Sequence, residues 1–105
     1  MISQGSLLFV DDENYILSEI QRVFQNERYE VNTARSGEEA LEILDRKKIE
    51  VVISDQSMKG MTGEQLLNHV KAKYPTTVRM IMSDYSDLAE MMSLVNSSAV
   101  YKFIR

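Results

Sequence analysis

The chain has no cysteine among its 105 residues, which excludes a disulfide framework, cysteine-ligated zinc and thiol chemistry. Its one histidine, His69, falls within an expected helix and has no acidic cluster around it. It reads as a surface residue rather than a ligand or a phosphate carrier. Apolar runs such as residues 7–10 and 51–53 are far too short to span a bilayer. The opening MISQGS lacks the charged start and long apolar stretch of a signal peptide. No basic stripe is present either: the net charge is −4, with acidic and basic residues interleaved, which argues against direct contact with nucleic acid. The expectation is a cytoplasmic protein with no membrane segment.

What is present suits one compact domain. A composition of 44% hydrophobic and 27% charged residues is ordinary for a globular protein. A chain of this length can bury a core without staples. Short apolar runs alternate with stretches of helical period. Residues 7–10 form a run that stops at Asp11-Asp12; Ile16, Leu17, Ile20, Val23 and Phe24 then mark one face of a helix. Residues 29–33 read as a second strand. Ser36 with Glu39 has the form of a capping box ahead of Ala40, Leu41, Ile43 and Leu44. Residues 51–53 are a wholly apolar third strand ending at Asp55. The stretch MKGMTG is a loop, Thr62 or Gly63 opens a helix through Leu66, Leu67 and Val70, and Pro75 blocks its continuation. A fourth strand over 78–82, a helix over 87–95 and a fifth strand over 100–104 complete the pattern.

Strands apolar on both faces, separated by helices, imply a parallel sheet covered on each side. Right-handed crossovers favour an open, doubly wound α/β sheet, in which ligands bind outside the carboxyl ends of the strands where strand order reverses. Such a sheet normally has a further helix after the fifth strand. The expectation is a single domain over 1–105, truncated before that helix, or compensating by dimerisation or element exchange.

Asp11 and Asp12 follow the first strand, Asp55 ends the third and Ser83 follows the fourth, so this topology gathers them in one crevice. Carboxylates at close quarters raise one another's pKa values, and a hard divalent cation relieves the repulsion. Each Asp taken singly could be a loop starter or helix cap. Taken together, they allow either a structural cation site or a carboxylate nucleophile that forms an aspartyl phosphate beside a metal. Spacing alone leaves both open.

Three segments carry a resemblance: LLFVDDE at 7–13, VVISDQSMKGMTG at 51–63 and VRMIMSDYSD at 78–87 are similar to the receiver domains of two-component response regulators. The similarity runs over essentially the whole chain. It implies a flavodoxin-like five-stranded sheet of order 2-1-3-4-5. It also implies Asp55 as phosphoacceptor, with Mg²⁺ (or Mn²⁺) held by Asp12 directly, by Asp11 mainly through water, by Asp55 and by the backbone carbonyl of Ser57. Ser83 becomes the switch hydroxyl and Phe103 the switch aromatic that rotates inward. The implied partners are a sensor histidine kinase or phosphotransfer protein, and an output domain or effector. The implied role is a signalling phosphoacceptor rather than an enzyme. A homodimer through the fourth helix and fifth strand, or through an uncovered sheet face, also fits. The segment from 82 onward further resembles receivers that precede cyclic-dinucleotide phosphodiesterase domains.

Three departures stand out. The lysine that receivers carry at the end of the fifth strand falls immediately after Arg105. Asp84 occupies a position that is usually small, adding like charge beside the pocket, and Lys59 stands where many receivers have proline. Ser57 and Tyr85 flank the acceptor site. A degenerate receiver, serving as a binding or dimerisation module without phosphotransfer, is the alternative reading. A haloacid-dehalogenase-like phosphatase fits less well, because FVDDE lacks the expected DxD nucleophile motif.

Overall fold

The computed structural model describes residues 5–82. Seven elements follow in strict alternation: β1 (Gly5–Val10), α1 (Asn14–Phe24), β2 (Tyr29–Ala34), α2 (Gly37–Arg46), β3 (Val51–Asp55), α3 (Gly63–Lys73) and β4 (Val78–Met82). The strands form one parallel sheet of order β2-β1-β3-β4. The flavodoxin-like α/β fold is therefore present over four strands. The expected helix over 87–95 and strand over 100–104, with Ser83, Asp84, Tyr85 and Phe103, lie outside the described residues.

The two faces of the sheet follow directly from alternating side chains. Leu7, Phe9, Val51, Ile53, Val78, Met80 and Met82 point to one face and pack with Ile16, Leu17, Ile20 and Phe24 of α1. Leu8, Val10 and Val52 point to the other, against Ala40 and Leu44 of α2 and Leu66 and Val70 of α3. This is why 7–10 and 51–53 are apolar without interruption: both faces of β1 and β3 are buried. Each fully buried Leu, Val or Phe contributes roughly 1.5–3 kcal/mol of transfer free energy. Phe24 closes its layer by packing at a tilt against Phe9, with centroids 5.4 Å apart, and edge-on to Tyr29 at 6.3 Å.

The chain path places the crevice. From β1 it crosses α1 to β2 on one side, then returns through α2 to β3 on the other side of β1. Right-handed crossovers in opposite directions put α1 on one face and α2 and α3 on the other. The reversal falls between β1 and β3, so the segments leaving Val10 and Asp55 diverge there and leave a gap.

Helix starts show one correction and one omission in the sequence reading. Ser36 does cap α2, its hydroxyl accepting from the Glu39 N–H at 3.0 Å, but the Glu39 carboxylate accepts from the N–H of Arg35 rather than closing back on Ser36. The complete reciprocal box belongs to α3, where Thr62 and Gln65 satisfy each other's backbone N–H groups. His69 is exposed on α3, as expected.

Candidate functional site: an acidic cup at the strand ends

Asp11, Asp12 and Asp55 converge at the gap between β1 and β3. One carboxylate oxygen from each lies within 4.8 Å of the others. Asp11 is buried, 6% exposed, while Asp12 and Asp55 are half-buried. No cation faces them as an ion-pair partner among the described residues; their recorded donors are backbone N–H groups. The Glu13 N–H donates to Asp11 Oδ1 at 2.9 Å, and the Lys59 N–H to Asp12 Oδ2 at 3.2 Å.

Electrostatics follow from this placement. Burial pushes the Asp11 carboxyl above its ordinary pKa; the Glu13 N–H opposes that, and the charges of Asp55, Asp12 and Glu13 add to it. Burial likewise raises Asp55, opposed by the N–H groups of Ser57 and Gln56 and reinforced by the charge of Asp12. The mutual repulsion expected from the sequence is present, but desolvation is the larger cause, because β1 and β3 are the central strands of the sheet.

The donor set fits a hard divalent cation. Three carboxylates in reach of one point supply oxygen only, with room for water on the solvent side, which is the coordination Mg²⁺ favours. Ser57 lies at the mouth with Asp12, Glu13, Met58 and Lys59.

The β3–α3 loop is held from several directions. Met58 is buried in the core, Thr62 caps α3, and the Gly63 N–H donates to the Gln56 carbonyl at 3.1 Å. The Gln56 side chain accepts from the Glu64 N–H at 2.8 Å. Gly63 is required there: a Cβ would stand 2.3 Å from the Asp55 carbonyl oxygen and 3.0 Å from the Gln56 Cα. Sequence reasoning missed this role for Gly63, although its position eight residues beyond Asp55, at a helix start, was visible. It also missed Gln56, whose amide gives no signal in sequence.

A cleft of about 660 Å³ lies next to Asp12, and another of about 630 Å³ opens at the opposite end of the sheet along residues 44–50 and 73–77. Size does not separate them; chemistry does. In the far cleft Asp45 is paired with Lys73 at 2.9 Å and accepts from the Tyr74 hydroxyl, so no carboxylate cluster forms.

A family model described as the response regulator receiver domain matches residues 7–104. The chain belongs to that family. This receiver domain is 34% identical over 101 residues to the hydrogenase transcriptional regulatory protein HoxA of Cupriavidus necator, covering 96% of the chain and 21% of that protein. It thus spans about a fifth of the length of such curated relatives. Among solved structures it is similar to the signal receiver domain of an HD domain-containing protein from Pseudomonas fluorescens (27% identity, TM-score 0.73, covering 92% of this chain and 78% of that one). It is also similar to the receiver domain of the hybrid histidine kinase CckA (31% identity, TM-score 0.71, 85% and 96% covered). The chain is therefore a receiver domain of the response regulator type, a signalling module. Among the described residues no helix is long and apolar enough to cross a membrane.

Proposed function

We propose that this receiver domain accepts a phosphoryl group on Asp55 in a Mg²⁺-dependent reaction and passes the signal to an output domain or effector protein. The observation that carries the reading is the approach of Asp11, Asp12 and Asp55 to within 4.8 Å at the point of strand reversal. The donor is a phosphohistidine on a sensor kinase or phosphotransfer protein. An Asp55 carboxylate oxygen bonds to phosphorus as the P–N bond breaks, and the departing imidazole nitrogen takes up a proton. Asp11, Asp12, Asp55 and the Ser57 carbonyl would hold the ion, Mg²⁺ or Mn²⁺, which would supply positive charge to neutralise the phosphoryl oxygens.

This chain's own residues do the rest. The N–H groups of Ser57 and Gln56 stabilise negative charge at Asp55 and oppose the effect of burial. Met58, Thr62 and Gly63 fix the loop that carries those donors. Following the family resemblance, Ser83 supplies the hydroxyl that follows the phosphoryl group and Phe103 the aromatic that moves with it, shifting a two-state equilibrium. An output of transcriptional or HD-domain type accords with the relatives' names.

The test is incubation with Mg²⁺ and acetyl phosphate, read by intact mass. The full chain should gain one phosphoryl group, and the Asp55→Asn variant none. Absence of labelling with acetyl phosphate and with a phosphohistidine donor would leave a binding module without phosphotransfer.

A further inference from the structure

One contact at the rim of the acidic cup has no part in the roles above. The main-chain N–H of Lys59 reaches across to Asp12 Oδ2 at 3.2 Å, joining two loops 47 residues apart in the chain. Asp12 is half-buried, with solvent on one side and two like charges on the other. Like charge within the cup favours a side chain turned out to solvent. The amide that opposes this is well anchored: Met58 before it is buried in the core, and Met61 after it packs so closely on the start of α2 that a Cβ at Gly37 would meet its Sδ at 2.4 Å.

We propose that the main-chain amide of Lys59 is a positioning donor for Asp12, holding its carboxylate turned into the cup so that Mg²⁺ meets a preset ligand. The inference rests on the metal-binding reading of the cup. Amide and ion do not compete for one site, since a carboxylate offers about four acceptor positions over two oxygens. Hydrogen bonds to ligating carboxylates orient them, and their loss commonly weakens metal binding by roughly tenfold or more. The contribution is the backbone's, so the ammonium group of Lys59 is dispensable.

Mg²⁺ alone is the probe, titrated calorimetrically into the full chain. Lys59→Ala keeps the N–H and loses the charge; it should bind Mg²⁺ as the parent does. Lys59→Pro, or a semisynthetic chain with a backbone ester in place of the residue-59 amide, loses the N–H; binding should weaken by roughly tenfold. The ester decides the matter if proline disturbs the fold. In a second arm needing no metal, Asp12→Ala, which removes the acceptor, should accelerate hydrogen exchange at the Lys59 amide while leaving the Leu66 amide within α3 unchanged. Parent-like Mg²⁺ affinity in the ester, or an equal loss in Lys59→Ala, overturns the proposal. If the parent binds no Mg²⁺, the reading of the cup fails, and the exchange arm alone decides whether Lys59 holds Asp12.

Discussion

The two ends of this sheet treat carboxylates in opposite ways. At the amino ends of the strands, Asp45 has Lys73 and the Tyr74 hydroxyl, and Glu30 has Lys47 at 2.7 Å and Ser6 at 3.0 Å. Both carboxyls are held below the ordinary value, Asp45 first by the Tyr74 bond and Glu30 first by the Lys47 bond. At the carboxyl ends, Asp11, Asp12 and Asp55 face one another, and burial raises Asp11 and Asp55. One end is internally satisfied, and the other gathers carboxylates with no cation paired to them among the described residues. Perturbation by desolvation plus like charge, in a cleft, marks a site of chemistry, whereas opposite-charge pairs on an exposed rim mark ordinary surface.

The largest effect expected from breaking this comparison is mechanical. Gly63→Ala drives a methyl group into the Asp55 carbonyl and should destabilise the fold by about 3 kcal/mol, with α3 displaced from the cup. Gly60→Ala, at φ +75° but in open space, should lose only about 1 kcal/mol, from backbone strain alone. Thermal denaturation followed by circular dichroism compares them. Equal losses would show that the close approach under Asp55 is not real.

A smaller effect sharpens the electrostatics. Folded Asp11 and Asp55 keep their protons to higher pH than in the unfolded chain. The folded state therefore binds more protons just above the ordinary carboxylate value, and stability from these two falls as pH rises through that window. Asp45 and Glu30 work in reverse: their stabilisation is present above the ordinary value and is lost as pH falls through the lowered one. Without metal, Asp55→Asn should exceed the parent at neutral pH by a few degrees in Tm, the shift that about 1 kcal/mol produces in a domain of this size. That advantage should shrink on acidification. An advantage constant from neutral to acid pH would break the account.

The smallest effect is expected at the other end. Asp45→Asn removes an exposed pair and should leave Tm nearly unchanged and Mg²⁺ binding untouched. A marked loss of Mg²⁺ affinity there would mean the two ends are coupled.

How much of this was legible in sequence divides along physical lines. Unbroken apolar runs betrayed β1 and β3 because both faces are buried, and the helical period of Ile16, Leu17, Ile20 and Phe24 gave α1 directly. Asp11, Asp12 and Asp55 were legible because strand ends of a parallel sheet must meet at the reversal. The capping box at Thr62 and Gln65 was spelled out and missed, while Ser36 and Glu39, which looked equally good, closed only halfway because Glu39 found the Arg35 amide. The Lys59 contact was not legible: its donor is an amide every non-proline residue carries, aimed only by tertiary packing. The leading role of burial over repulsion was hidden as well, since depth beneath a crevice is not encoded locally.

The central claim is that the cup is incomplete without a divalent ion. Thermal denaturation across a Mg²⁺ titration, with the parent and Asp55→Asn side by side, tests it most directly. The account predicts a parent that starts lower and rises steadily with Mg²⁺, and a variant that starts higher and rises far less. A parent insensitive to Mg²⁺, or two chains that rise together, would contradict it.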